Sequence, residues 1–295
     1  GRGAKEGGVN WGPKKVPLAP IIAHNSAMTL LFSHANGYPP GSYRVLLEAL
    51  EQRMDAPVVS HAHRPLTTDQ PAPVFLSWHE YANDLIQRIE RESLGPVWLV
   101  GHSMGGATGV LAAAKRPDLF SGLIGLDPVL PRTKLWFWSR VVSWFKPDAV
   151  PIVKRALARP HDFDSQSAAF DFYRGKRVFS GLSDEVLMDY VKAGHRLGSD
   201  GREHLRYSGA WEACVYRSVP RIRPALKALQ CPTLIIAGEQ SQILTPETLS
   251  WLNGLNSRLT TASLPGGHLL PLELPAICAE AVATFIGAQE ASQKP

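Results

Sequence analysis

The segment Val97-Trp-Leu-Val-Gly-His-Ser-Met-Gly-Gly106 joins two patterns. Its first four residues are apolar, as in a buried strand, and the alanine-rich residues 104–115 are typical of a helix. Gly101 and Gly105 stand two positions on either side of Ser103. A strand that turns directly into a helix needs small residues there, because side chains would collide across the turn. The segment therefore predicts a sharp turn that lifts the Ser103 hydroxyl above the end of a strand.

Strands and helices alternate on both sides of this turn. Strands are predicted near 28–33, 57–59, 97–100, 123–126, 233–237 and 259–264, and helices near 42–54, 77–93, 104–115, 246–255 and 272–287. This alternation predicts an α/β fold with a mostly parallel sheet flanked by helices.

Residues 131–225 break the alternation. This stretch is rich in Trp, Arg and Pro, and helical apolar spacing recurs at 163–179 and 183–197. We therefore expect a core formed by 1–130 and 226–295, with 131–225 inserted as a mainly helical cap. Ligands of such folds bind at the carboxyl edge of the sheet, where we expect the insertion to lie.

Composition limits the classes of partner and compartment. The net charge is +5, but the basic residues are scattered, so we expect no nucleic-acid partner. No run of about 18 apolar residues is present, so no transmembrane segment is predicted. The three cysteines cannot form a closed disulfide framework and lack metal-ligand spacing. We expect a cytoplasmic protein that uses no metal or other cofactor and acts on a small molecule.

These motifs resemble the α/β-hydrolase superfamily. His34-Ala-Asn-Gly-Tyr-Pro39 is similar to the oxyanion-loop His-Gly motif of that family with two residues inserted, and Gly266-Gly-His268 resembles its histidine loop. The chain order of serine, acid and histidine also matches. The resemblance extends over most of the chain outside 131–225, and it implies the α/β-hydrolase fold with Ser103 as nucleophile.

A serine hydroxyl is a weak nucleophile at neutral pH and needs a base within hydrogen-bond reach. Among the ten histidines, His268 follows a predicted strand and a Gly-Gly pair and precedes the last helix. That position predicts a loop at the same sheet edge as Ser103, so we assign His268 as the base. His102 is adjacent to Ser103 and points elsewhere, and His34 is expected to support the oxyanion loop.

The third member of the triad departs from the family pattern. In most members the acid follows the penultimate strand in a pattern like Gly-Glu-x-Asp, whereas this chain has Gly238-Glu-Gln-Ser241. Asp127, at the end of the strand after the nucleophile helix, resembles the acid of branches such as the haloalkane dehalogenases. Glu239 is the alternative acid, although it stands two positions early. We favour Asp127, because the imidazole needs a carboxylate to fix its tautomer.

The resemblance also implies an oxyanion hole of two backbone N–H groups. One is expected from Met104, the residue after the nucleophile. The other is expected from Asn36, with Ala35 as second choice, and the Asn36 side chain could add a donor. A sharper interpretation of the cap has Trp136, Trp138 and Trp144 lining an apolar acyl pocket.

The expected function is hydrolysis of a small or medium apolar carboxylic ester through an acyl-enzyme. Similar scaffolds also open lactones and cleave thioesters or C–C bonds, so these reactions stay open. A non-catalytic binding module with the same fold also stays open, and the serine at 241 is its best support. Oligomeric state does not follow from the sequence.

Overall fold

The computed structural model describes residues 28–132, 148 and 150–293. The strands are β1 (Thr29–Ser33), β2 (Val58–His61), β3 (Val97–His102), β4 (Phe120–Leu126), β5 (Asp162–Phe163), β6 (His195–Leu197), β7 (Glu203–Leu205), β8 (Thr233–Gly238) and β9 (Leu259–Leu264). The α-helices are α1 (Arg44–Met54), α2 (Trp78–Arg91), α3 (Met104–Lys115), α4 (Pro151–Leu157), α5 (Gln166–Arg174), α6 (Asp184–Gly194), α7 (Gly209–Arg217), α8 (Arg223–Ala228), α9 (Pro246–Asn253), α10 (Leu270–Glu273) and α11 (Pro275–Gln293). Short 3₁₀ turns lie at Pro40–Tyr43, Arg64–Leu66, Pro117–Leu119 and Arg177–Phe179.

Six strands form one parallel sheet in the order β2-β1-β3-β4-β8-β9. The predicted α/β-hydrolase fold is confirmed by this sheet and by the helices that cover it. β3 is buried along its whole length because β1 and β4 flank it. β4 and β8 pair directly, although the segment between them is the longest interruption of the sheet. The ends of β3, β4 and β8 therefore meet at one edge.

Alternate residues of the central strands serve two separate cores. Leu31 and Leu99 belong to the cluster that α2 and α3 cover. Leu30 and Trp98 belong to the cluster that includes residues of α1, α6 and α11. Successive side chains of a strand point to opposite faces, so an apolar run along β3 is what burial on both faces requires. In α2, Leu85 and its neighbours at helical spacing are buried against the sheet.

The chain between β4 and β8 combines helices with a second, smaller sheet. Its described part holds α4 to α8 and three short antiparallel strands in the order β5-β7-β6. The helical spacing predicted at 163–179 and 183–197 corresponds to α5 and α6. The small sheet was not predicted, because strands of two or three residues are too short to show a periodic pattern.

Within the described ranges, we find no helix whose length and apolar character would allow it to cross a bilayer.

Candidate active site

Ser103 occupies the turn between β3 and α3 in a strained backbone conformation. Its φ is +53° and its ψ is −113°, a combination that costs a non-glycine residue about 1–3 kcal/mol. The turn is held on both sides, because the Ser103 N–H donates to Leu126 O at 3.1 Å and the Val129 N–H donates to Ser103 O at 3.2 Å. A Cβ on Gly105 would stand 2.0 Å from the carbonyl oxygen of Ser33. The glycine of the motif is therefore required by the close approach of β1.

The structure brings Ser103, His268 and Asp127 together. The distance from Ser103 Oγ to His268 Nε2 is 3.0 Å, and the distance from His268 Nδ1 to Asp127 Oδ2 is 2.5 Å. Asp127 is fully buried, whereas a third of the His268 side chain is exposed. With Nδ1–H donating to the carboxylate, Nε2 is free to accept the serine proton. This arrangement can activate a hydroxyl for nucleophilic attack.

Asp127 is held by donors from the neighbouring strand β8. The Gly238 N–H donates to Oδ1 at 3.1 Å, and the Ser241 hydroxyl donates to Oδ2 at 2.6 Å. Ser241, which occupies the position where the family pattern has an acid, therefore donates a hydrogen bond to the Asp127 carboxylate. Glu239 is exposed, and the Nδ1 of His268 is bonded to Asp127 instead. Geometry thus favours Asp127 and leaves the alternative acid Glu239 outside the constellation.

Two backbone amides near Ser103 are unengaged. Neither the Asn36 nor the Met104 N–H donates to another residue of the described chain. The Ala35 amide differs, because it donates to the Tyr43 hydroxyl at 3.2 Å. Because the Ala35 N–H already has an acceptor, the geometry favours the first choice, Asn36, over Ala35 as the oxyanion donor.

The Asn36 side chain also has hydrogen-bond partners within the protein. Its Nδ2 donates to Glu212 O at 3.2 Å, and its Oδ1 accepts from the Tyr207 hydroxyl at 2.8 Å. Glu212 of α7 and Tyr207, two residues before that helix, thus bind both ends of the amide group, and one of its two N–H groups is used in the bond to Glu212. Asn36 fastens the loop to the segment between β4 and β8.

Buried histidines support the same loop from below. His34 Nδ1–H donates to Ala35 O at 2.7 Å, and the His63 N–H donates to His34 Nε2 at 3.0 Å. Burial, reinforced by nearby His63, lowers the pKa of His34 well below its ordinary value. His34 is therefore neutral, which both hydrogen bonds require. The expected supporting role of His34 is confirmed.

A buried ion pair lies above the oxyanion loop. Glu212 and Arg159 form a salt bridge, and the Arg159 guanidinium also donates to the hydroxyls of Tyr173 and Tyr190. The Glu212 carboxylate covers Gly37 so closely that a Cβ there would stand 2.2 Å from Oε1. Burial raises the pKa of Glu212, and the Arg159 charge opposes that shift. The loop that carries Asn36 and Gly37 thus packs against a buried ion pair, which no pattern in the sequence indicates.

The predicted acyl pocket lies outside the described residues, which do not include Trp136, Trp138 or Trp144. Among the described residues, no cluster of three or more His, Cys, Asp or Glu side chains could hold a metal ion.

Comparisons with known proteins point to one family and several activities. The family described as alpha/beta hydrolase fold matches residues 54–275. The chain is 23% identical over 265 residues to 2-(acetamidomethylene)succinate hydrolase of Mesorhizobium japonicum, covering 89% of each protein. It is 34% identical over 125 residues to monoglyceride lipase of Rattus norvegicus, covering 41% of this chain and 38% of the lipase.

Solved structures agree on the fold. E-2-(acetamidomethylene)succinate hydrolase superposes with a TM-score of 0.72 at 22% identity, over 88% of this chain and 91% of that one. An esterase of Mycobacterium tuberculosis superposes with a TM-score of 0.70 at 17% identity, over 89% of this chain and 86% of that one. At these identities the likeness establishes the architecture.

Proposed function

Because this chain belongs to the alpha/beta-hydrolase fold family, we propose that it is a serine hydrolase that cleaves a carboxylic ester through an acyl-enzyme. The observation that carries the proposal is the continuous contact from Ser103 Oγ to His268 Nε2 at 3.0 Å and from His268 Nδ1 to Asp127 at 2.5 Å. A buried carboxylate, an oriented imidazole and a strained serine turn together form the apparatus of nucleophilic acyl transfer.

In the proposed mechanism, Ser103 Oγ attacks the ester carbonyl carbon while its proton passes to His268 Nε2. The negative charge on the carbonyl oxygen is received by the Asn36 and Met104 N–H groups, each contributing about 3 kcal/mol to the barrier reduction. Asp127 stabilises the imidazolium. His268 then protonates the leaving alcohol, and the acyl group remains on Ser103. Water, deprotonated by His268, attacks the acyl-enzyme, and His268 returns that proton to Ser103 Oγ as the bond between Oγ and the acyl carbon breaks and the acid is released.

The proposed substrate is a small or medium apolar ester. Esterases and monoglyceride lipases among the similar proteins support an ester, while the hydrolase from Mesorhizobium keeps other acyl bonds open. We further propose that residues 131–225 act as a cap that covers Ser103. The bonds from the Asn36 side chain to Glu212 and Tyr207 support that arrangement, since they join this segment to the loop beside the nucleophile.

The test combines active-site labelling with turnover. A fluorophosphonate is expected to form a stable adduct on Ser103 that is lost in Ser103→Ala, and hydrolysis of p-nitrophenyl esters should be lost with it. Ser250→Ala, an exposed serine on α9, is the matched control and should label normally. A folded wild type without adduct or turnover would instead indicate a binding module. If Ser103 is labelled but lactones or thioesters are turned over in preference to esters, the assignment of the nucleophile stands and the assignment of an ester substrate is overturned.

A further inference from the structure

A chain of hydrogen bonds joins the loop of the base to the loop of the oxyanion donors behind Ser103. His102 Nε2 lies 2.8 Å from His268 O, and His102 Nδ1 lies 2.7 Å from the Tyr43 hydroxyl. The Ala35 N–H donates to the same hydroxyl at 3.2 Å. His102 and Tyr43 are both fully buried, with 0% and 1% of their surface exposed. The proposed mechanism assigns no role to either side chain.

The direction of every hydrogen bond in this chain follows from the groups at its ends, the Ala35 N–H, which can only donate, and the His268 carbonyl oxygen, which can only accept. Ala35 offers an N–H, so the Tyr43 oxygen accepts there and its own proton must point to His102 Nδ1. Nδ1 is then the unprotonated nitrogen, and Nε2–H donates to the carbonyl oxygen of His268. One neutral tautomer of His102 satisfies both contacts, whereas an imidazolium would present a second N–H toward the Tyr43 proton.

The environment keeps both groups in these protonation states. Burial, with the neighbouring His268 as second cause, lowers the pKa of His102 to about 3. Burial raises the pKa of Tyr43 far above its ordinary value, so its hydroxyl remains a donor. The chain is therefore intact over the whole range in which an imidazole base can work. Replacing either polar group would leave buried partners unpaired.

We propose that His102 and Tyr43 are positioning residues that hold the His268 loop and the Ala35–Asn36 turn at a fixed separation on either side of Ser103. This inference rests on the proposed function. In acyl transfer, the base must reach the serine proton while the Asn36 amide reaches the oxyanion, so both loops have to be placed against the same substrate atom. A displacement of about 1 Å is enough to cost a hundredfold in rate. His102 sets one end of this distance and Tyr43 the other.

Tyr43→Phe is the main test, because it removes a single oxygen and breaks both bonds at once. We expect kcat per fluorophosphonate-titrated Ser103 to fall about tenfold or more, with KM changed less than about threefold. Tyr81→Phe is the matched control, since Tyr81 is equally buried and its hydroxyl has no hydrogen-bond partner among the described residues. Its kcat should equal that of the wild type.

Two variants of His102 test the two hydrogen bonds of its side chain separately. His102→Gln can retain a donor toward His268 O, and His102→Asn can retain an acceptor toward the Tyr43 hydroxyl. Each is expected to lower kcat on titrated sites, and the combination with Tyr43→Phe should add little to His102→Gln, whose link to Tyr43 is already broken. Titration counts only competent serines, so loss of folded protein alone does not lower this kcat.

The outcomes distinguish this inference from the function it rests on. An unchanged kcat per titrated serine in Tyr43→Phe, with an active wild type, would overturn the positioning role and leave the serine mechanism standing. Equal losses in Tyr43→Phe and Tyr81→Phe would also overturn it, because the effect would then be one of packing. A wild type that neither labels nor turns over ester would instead contradict the proposed function.

Discussion

Acidification from pH 7.5 to 5.5 is expected to destabilise the fold through four buried histidines, His34, His61, His63 and His102. Each has at most 3% of its surface exposed. Burial lowers the pKa of all four, to about 4 for His63 and about 3 for His102. In the unfolded chain each imidazole binds a proton near pH 6.5, whereas the folded protein keeps it neutral. The unfolded state therefore binds more protons, and stability falls as the pH falls.

The size of the effect follows from linkage. Between pH 7.5 and 5.5, a histidine with an unfolded pKa of about 6.5 and a folded pKa near 4 or below contributes about 1.4 kcal/mol. The two groups with such folded pKa values, His63 and His102, together give about 3 kcal/mol, and the lowered pKa values of His34 and His61 add to the loss in the same direction. With an m-value of about 3 kcal/mol/M, the urea midpoint should move down by about 1 M or more.

His61→Leu isolates one of the four contributions. Both ring nitrogens of His61 are buried without a hydrogen-bond partner among the described residues. An apolar side chain there should leave stability at pH 7.5 unchanged or increased, since no bond is broken. The loss of stability between pH 7.5 and 5.5 should shrink, because a group whose pKa is lowered in the folded state is removed. Urea unfolding of both proteins at both pH values measures this difference. Parallel pH dependences, or a wild-type loss below about 1 kcal/mol, would refute the reasoning.

Four further substitutions and one double variant test the site and the residues that support it. Asp127→Asn should lower kcat about 10³- to 10⁴-fold in a folded protein, because the amide disfavours the tautomer the base needs; Ser241→Ala removes one donor to that carboxylate and should cost about tenfold or less in the same ester assay. A smaller loss for the first than for the second would contradict the assignment. Gly105→Ala should destabilise the protein by about 3 kcal/mol or more in urea unfolding, because its Cβ would meet backbone of β1. Arg159→Met should cost about 3–5 kcal/mol by leaving Glu212 buried and unpaired, and adding Glu212→Gln should recover part of it. Strictly additive losses in the double variant would show that the pair is not coupled.

The fold could be predicted because its signals are local. The strand, turn and helix around Ser103 are contiguous in the chain, and Gly105 marks the close approach of β1 without knowledge of which strand approaches. Burial of β3 on both faces also leaves a direct trace, an uninterrupted apolar run. Asp127 was favoured from chain order and the absence of an acid at 241.

The support of the site could not be predicted, because it depends on pairings between distant residues. Tyr43 contacts His102, His102 contacts His268 O, and Glu212 contacts Asn36, all across long stretches of sequence. A single tyrosine or histidine in a helix or strand has no distinguishing pattern. The internal partners of the Ala35 N–H and of the Asn36 side chain depend on the same kind of pairing. An N–H group near the nucleophile can bind the oxyanion only if it does not already donate to another residue of the protein.

The hydrogen bond between Ser241 and Asp127 makes the acid interchangeable between two sheet neighbours. β4 and β8 are adjacent, so Ser241, which follows β8, meets the same oxygen of Asp127 that accepts from the imidazole. A reciprocal exchange, serine at 127 and aspartate at 241, would keep one carboxylate and one hydroxyl at that point. A variant with aspartate at both positions would place two like charges in a buried space, and a variant with serine at both positions would have no carboxylate for the base. Exchange of the two residues by successive single substitutions would therefore pass through a variant with an impaired triad.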